Sequence, residues 1–502
     1  MIYHISSASN GFEKKFGLIG NRVKVPDFMH RQIFTALWLL AIATLVATAS
    51  PAPTAEKPPL PDDLYFEFKA VPADQNAMID WRRAAQLEAV PNEKEKQALK
   101  FCWTPADREP SADDLAGLQS WLKRDQPALD MFSASLAKPM AQWPERNAQN
   151  TQPEIAAFSH LMRARLFAAD QLAEQNKFED AARSLEDSLK LAQMGIEGDP
   201  ELIHYLLACS ARTLTQDAII RLAARKQVPL PVLERLLNDL LKLDSETNLY
   251  SKILRIEFTS DYNEPFDLKK LVADWSKISE TNAAMALFPD DCIRPFKVLL
   301  DPSLVPFHPK PFDWNADIEA TADHYRIYRT NACSAWADRS GEVELENVEN
   351  RTNLLLEIAP LMKLVEGEPL PLSRQAAQRA KDAYLAIDNP VGRIMNCSLS
   401  GFVGSDEKVF KCRTEREATR AVLALLIFER RKGVLPEKLS DLVAEKILKA
   451  VPADPFSGGE LLYSRERRIV WSVGQDETDD GGKAGETRWS GDDAVWTIPG
   501  LN

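Results

Sequence analysis

Histidine is scarce in this chain, six residues in 502, and they form no cluster. No stretch reads G-x-S-x-G or H-E-x-x-H, so the nucleophile elbow of the α/β-hydrolases and the zinc-binding helix of metalloproteases are both absent. Basic stripes are lacking too, and a formal net charge of −13 does not fit a nucleic-acid partner, because phosphate binding needs clustered Lys and Arg to displace counterions. What is present is a globular composition, 45% apolar and 27% charged, on a chain too long for one core of ordinary size. Two or three domains are expected.

One apolar run stands out. Ile33–Ala49, IFTALWLLAIATLVATA, carries no charge and is followed by the Pro-rich SPAPTAEKPPLPDD. Its 17 residues are just enough to span a bilayer and slightly more than a signal-peptide core needs. Ala47-Thr48-Ala49 has the small-x-small form of a signal-peptidase site. With Met29 as the start, MHRQ is a short basic leader and residues 1–28 are a mis-assigned beginning; the alternative is an uncleaved anchor with Arg31 on the cytoplasmic side. Either way the rest is expected to be exported, periplasmic or held to the inner membrane through residues 33–49. Those first 49 residues hold five of the 61 bases and two of the 74 acids, leaving 56 minus 72, or −16, on the exported part. No Cys follows the run as a lipoprotein requires. The six cysteines permit disulfides. Cys397 and Cys412, flanking SLSGFVGSDEKVFK, are the candidate bridge, Cys209 sits on an apolar helical face, and Cys102, Cys292 and Cys333 are unassigned.

Residues 50–80 read as a Pro-rich linker, and residues 81–250 as a helical, partly repeat-like domain. Within it, AFSHLMRARLFAADQLAEQNKFEDAARSLEDSLKLAQ has apolar residues at helical spacing on both sides of a polar turn, Gln175 to Lys177. This pair resembles one tetratricopeptide-type hairpin, although no 34-residue period continues around it. Two further helices follow, separated by Pro229 and Pro231, and stacked pairs of this kind form an array whose surface commonly takes a protein partner. His160 and His204 are read as isolated packing or surface residues. Residues 251–412 are mixed and mainly helical. They include the long connection FPDDCIRPFKVLLDPSLVPFHPKPFDW, where Asp290 and Asp291 form a carboxylate pair and His308 follows.

The tail, residues 413–502, reads differently. REATRAVLALLIFERRKG is an amphipathic helix ending at Gly433, VLPEKLSDLVAEKIL a Pro-initiated short helix, VPADPFSGGE a turn, and LLYSRERRIVWSVG two strands around a polar turn. Then comes WSVGQDETDDGGKAGETRWSGDDAVW, with seven acids, five glycines and three tryptophans against two bases. Like charges crowded into a glycine-rich loop repel unless solvent or a cation compensates, and hard oxygen ligands suit Ca²⁺ with six to eight coordination sites. A standard EF-hand is excluded, since counting from Asp476 the third and twelfth positions are Thr478 and Thr487.

The order of GVLPEKLSDLV, VPADPFSG, LLYS, VWSVGQDETDDGG and GDDAVW resembles the globular part of the major pseudopilins of type II secretion, over roughly residues 415–497. That resemblance implies a small α+β module and a calcium site in the loop after the strands, with Asp476, Asp479, Asp480, Asp492 and Asp493 as ligands. The chain departs from the family at its other end: it lacks the GFTLIE processing motif and the glutamate of the fibre-forming helix. The whole layout, with NPVGRIM upstream, is also similar to large exported bacterial proteins without an assigned activity.

The expected architecture is therefore mainly α, an exported and partly solenoid-like helical body followed by a small α+β module. The function expected is that of a non-enzymatic envelope scaffold with a protein partner and a structural Ca²⁺ ion. An exported hydrolase with a site at Asp290, Asp291 and His308, and an accessory factor of a secretion or pilus system, are the alternatives.

Overall fold

The computed structural model describes residues 59–95, 111–144, 153–243, 247–263, 314–339, 405–491 and 493–500. About 62% of this is helical, and the one sheet among the described residues has three antiparallel strands, so the fold is mainly α as expected. The helices are α1 (Met78–Leu87), α2 (Ala112–Ala134), α3 (Pro153–Glu174), α4 (Phe178–Glu197), α5 (Leu202–Ala223), α6 (Leu230–Lys242), α7 (Thr247–Asn263), α8 (Trp314–Cys333), α9 (Ser405–Lys432) and the short α10 (Ser440–Ala444). Strands β1 (Leu462–Ser464), β2 (Ile469–Ser472) and β3 (Ala494–Thr497) lie in sequence order. Helices α3 and α4 form the hairpin legible in the sequence, turning at Asn176 with φ of 59°. Pro231, beside the start of α6, stands where a missing N–H costs no helical bond.

Two hydrophobic cores share these helices. The first gathers Trp81, Phe132, Trp143, Phe158, Tyr205, Tyr250, Phe258 and Tyr325; the second runs from Leu185, Ile219 and Leu236 through α9 to Leu442, Val470 and Trp496. Helix α3 passes from one core to the other at Arg165, α4 beside Ser188, α5 across Arg212, Thr215 and Gln216, and α9 across Thr414, Glu415 and Arg416, all of them buried. A buried polar belt thus crosses four helices where the apolar stripes change partners. Burying such groups is costly unless they are bonded; Arg165 reaches Ser133, Ser188 and the carbonyl of Ser184, while the Gln216 carboxamide has no hydrogen-bond partner.

Three expectations from the sequence need correction. The boundary between residues 412 and 413 falls inside α9, which is continuous and packs on α5 and α6 as well as on β2 and β3. Nor is the middle of α9 amphipathic: the eight residues from Ala421 to Phe428 are all buried, because body and tail enclose the helix from both sides. Arg420 donates to the carbonyls of Leu240 and Leu243 at the C-terminal end of α6, which it caps, and Arg430 to that of Val228 in the connection between α5 and α6. The third correction concerns residues 60–80, which are not a free linker. Leu64, Ala77 and Met78 are buried in the first core, Phe66 N–H donates to Thr259 Oγ1 at 2.8 Å, and Asp63 pairs with Arg326 and Arg329 of α8.

Histidine 204 is fully buried and stacked on Trp143, with centroids 4.3 Å apart, and Trp143 Nε1 donates to Gly195 O at 2.7 Å. His160 is half-buried, with Nδ1 3.5 Å from Glu88. Beyond α4, Gly198 lets the backbone of residues 141–143 pass against it: its carbonyl accepts from Trp143 N–H, and a Cβ there would lie 1.6 Å from Ala141 O. Gly198→Ala should therefore force the two segments apart and destabilise the chain by about 1–3 kcal/mol, read as a lower urea midpoint.

Candidate functional site

The acidic loop lies between β2 and β3, and three of its carboxylates, those of Asp476, Asp479 and Asp493, accept backbone N–H groups. Asp476 Oδ1 accepts from Thr478 N–H at 3.1 Å, a local turn of the kind Asp readily forms. Asp479 Oδ1 accepts from the Trp471 indole at 3.0 Å and from Gly481 N–H at 2.9 Å. Asp493 Oδ2 takes Gly482 N–H at 2.7 Å and Lys483 N–H at 3.3 Å. Gly482 is needed for this path: φ is +68° and a Cβ would meet Ile469 Cδ1 at 2.7 Å. Trp336 Nε1 fixes the loop's first residue by donating to Gln475 O at 2.8 Å. Arg467, on the turn between β1 and β2, donates to the carbonyls of Gly481 and Gly482.

Asp493 is the exception to this satisfaction. The residue is 1% exposed and its Oδ1 has no hydrogen-bond partner. Burial pushes its carboxyl above the ordinary aspartate range against the pull of the backbone N–H groups that face it, and Asp479 nearby adds to the rise. An orphaned, buried carboxylate oxygen beside a second carboxylate is the chemistry a hard cation fits. Of the five residues read from the sequence, the structure sets Asp479 near Asp493, leaves the Asp480 side chain exposed and Asp476 in its own turn, and does not describe Asp492. Among the described residues no group of three or more His, Cys, Asp or Glu side chains converges as a ready metal site.

A second site escaped the sequence reading. Glu415 of α9 is 5% exposed and accepts three donors from the tail: Trp489 Nε1 at 2.8 Å, Arg488 Nη1 at 2.6 Å and Trp496 Nε1 at 3.0 Å. Arg488 reaches on to Asp217 of α5 at 3.0 Å. Burial pushes the Glu415 carboxyl up, with Asp217 adding to the rise and Arg488 and Trp489 opposing it; burial also works against the charge on Arg488, but its two carboxylate partners outweigh that and hold it above its ordinary value. Two of the tail's three tryptophans are thus explained as indole donors to one buried carboxylate, and the third donates to Asp479. Nearby, the fully buried Asp454 of the VPADPFSG turn accepts from Ser472 Oγ at 2.7 Å, Phe456 N–H at 3.1 Å, Val473 N–H at 3.2 Å and Ser457 Oγ at 3.2 Å, pinning that turn to β2. Arg468 forks onto both oxygens of Glu429 at 2.7 and 2.9 Å, tying the strand turn to α9. Glu415 and Asp454 carried no local motif; the signal available was an acid or turn residue next to strongly apolar sequence.

The other sequence candidates fall elsewhere. Asp290, Asp291 and His308 lie outside the described residues, as do Cys397, Cys102, Cys292 and the run Ile33–Ala49. Cys412 is half-buried on α9 against the first core, and Cys209 is buried in α5. No helix among the described residues is long and apolar enough to cross a membrane. Comparison with protein-family models, with curated proteins and with solved structures finds no match. The pseudopilin resemblance accordingly rests on its quoted motifs.

Glu415→Ala removes the shared acceptor of Arg488, Trp489 and Trp496 and leaves a half-buried guanidinium short of a partner, which costs about 3–5 kcal/mol for a buried pair broken on one side. Urea unfolding followed by tryptophan fluorescence should show that loss, and a smaller one for Glu415→Gln, which keeps one carbonyl acceptor.

Proposed function

We propose that this chain is a non-enzymatic cell-envelope protein: an exported helical body that holds a protein partner, closed by a tail whose acidic loop takes a structural Ca²⁺ ion. The observation that carries the calcium part is Asp493, buried with one oxygen lacking a donor and with Asp479 and Asp480 on the same loop. Asp493 and Asp479 are the side chains that would hold the ion, with Asp480, Asp476 and Asp492 as further acids on the loop. The ion supplies the missing partner and neutralises charge that burial otherwise penalises.

Support for export comes from Ile33–Ala49 and its Ala47-Thr48-Ala49 end, which would hold the chain to the membrane if uncleaved. The scaffold part is supported by the succession α3, α4 and α5, in which each helix packs on the next and α6 packs back on α4, as in stacked-helix arrays that present a surface to other proteins.

The test uses the full chain, because the tail shares its core with the body. Millimolar Ca²⁺ should raise the thermal midpoint over that in chelator, as mass action requires of a ligand that binds only the folded state, with about 2.7 kcal/mol gained at a hundredfold excess over Kd. Asp493→Asn should remove that rise while leaving the chain folded. An equal midpoint with and without Ca²⁺ for the wild type rules the ion out.

A further inference from the structure

We propose that Glu88, Asp125 and His160 form a pH-sensitive clasp that grips the end of α1 and the segment after it to α2 and α3 in acid and loosens them as the pH rises. Three elements meet at this point: Glu88 ends α1, Asp125 is on α2 and His160 is on α3. Asp125 is fully buried; its Oδ1 accepts from Ala89 N–H at 2.8 Å, and its Oδ2 has no hydrogen-bond partner. Glu88 Oε1 is likewise buried without a hydrogen-bond partner, and it lies 3.5 Å from His160 Nδ1, a separation that suits an ion pair better than a hydrogen bond. Two acids, each with an unmet oxygen, therefore stand beside one histidine. The segment they hold has two further ties to α2: Trp121 Nε1 donates to Ala89 O at 3.2 Å, and Arg124 donates to Val90 O at 3.2 Å and to Glu95. Pro127, two positions after Asp125 and inside α2, leaves that turn short of one backbone hydrogen bond, so the clasp acts where the helix is already weakened.

The balance of charge sets the direction of the response. Burial pushes the Asp125 carboxyl above the ordinary aspartate range and Glu88 adds to the rise, while Ala89 N–H, His160 and Arg124 pull against it. The charged groups that face Asp125 are thus Glu88 from the end of α1, His160 from α3 and Arg124 from α2 itself, the last of them turned to Glu95. Farther back along α1, Arg82 pairs with Glu154 of α3. With Asp125 protonated and His160 charged, the Glu88 carboxylate meets an opposite charge; with both protons gone, two carboxylates face each other beside a neutral ring. Histidine is the side chain that makes this change between about pH 5 and 8. A carboxyl whose value is higher in the folded chain than in the unfolded one stabilises the fold while protonated. That contribution is complete below the ordinary aspartate range and is lost as the pH rises through the raised value.

The experiment is native-state hydrogen exchange of the full chain between about pH 5 and 8, with the chemical exchange rate at each pH divided out, for wild type, Asp125→Asn, Glu88→Gln and His160→Gln. In wild type the protection of the amides from Ala84 to Glu95 should fall roughly fivefold or more as the pH rises, the upper end of what an exposed charge pair is worth and the lower end for this half-buried one. Asp125→Asn keeps the acceptor for Ala89 N–H and loses the charge, so protection should stay at its acid level throughout, and Glu88→Gln should flatten the profile in the same way. His160→Gln should be less protected than wild type in acid and equal to it at the upper end. Protection that does not change with pH in wild type overturns the clasp. So does a fall that persists undiminished in Asp125→Asn and Glu88→Gln, because other groups are then titrating, or one shared equally by the amides of α5, which marks a change in global stability.

Discussion

The Glu415 carboxylate is the contact on which the rest of the tail's placement depends. It sits where α9 leaves the first core for the second, takes an arginine and two indoles from the C-terminal segment, and through Arg488 reaches Asp217 on α5. Three separate pieces of chain, from the middle of the body, the long helix and the last residues, are brought to one point. A buried ionic network of this sort adds little net stability over an apolar replacement, but it is strongly damaging when one partner is missing. Its contribution here is alignment: apolar stripes on α5 and α9 can slide past one another, whereas these donors and acceptors match in one register.

The belt of buried polar residues extends that logic across the body. Arg165 on α3, Ser188 on α4, Thr215 and Gln216 on α5 and Arg416 on α9 mark the levels where each helix exchanges one core for the other. Because α9 is buried on all sides over Ala421–Phe428, its apolar surface is shared between body and sheet. The three-stranded sheet, with strands of three and four residues, gains its hydrophobic backing from α9. The acidic loop, in turn, is held by that sheet's Trp471 and by Arg467, so its geometry is inherited from packing that begins at Glu415.

Much of this was legible in the sequence, and the parts that were not share a cause. The hairpin of α3 and α4, the break at Pro229 and Pro231, and strands at LLYS and IVWS follow from apolar period and turn residues, which are local signals. The unbroken AVLALLIF of α9 also carried a signal for a helix buried on every side, overlooked because its flanks REATR and ERRKG are charged. The pairing of Glu415 with Arg488, 73 positions later, has no local signature. The same holds for Asp63, which meets Arg326 across 263 positions and turns an apparent Pro-rich linker into packed structure. In the loop, composition identified the acids but not their partners: Asp479 and Asp476 are spent on turns, and among the loop's described residues Asp493 is the buried acid left with an unmet oxygen.

The central claim, that body and tail are one cooperative unit joined through α9 and Glu415, is tested most directly by native-state hydrogen exchange of the full chain under rising denaturant. The account predicts that the amides of Leu202–Ala223 in α5, Ala418–Ile427 in α9 and Ile469–Ser472 in β2 lose protection together, in a single opening. Exchange of the β2 amides through a separate opening of lower free energy, with α5 and α9 still protected, would contradict it.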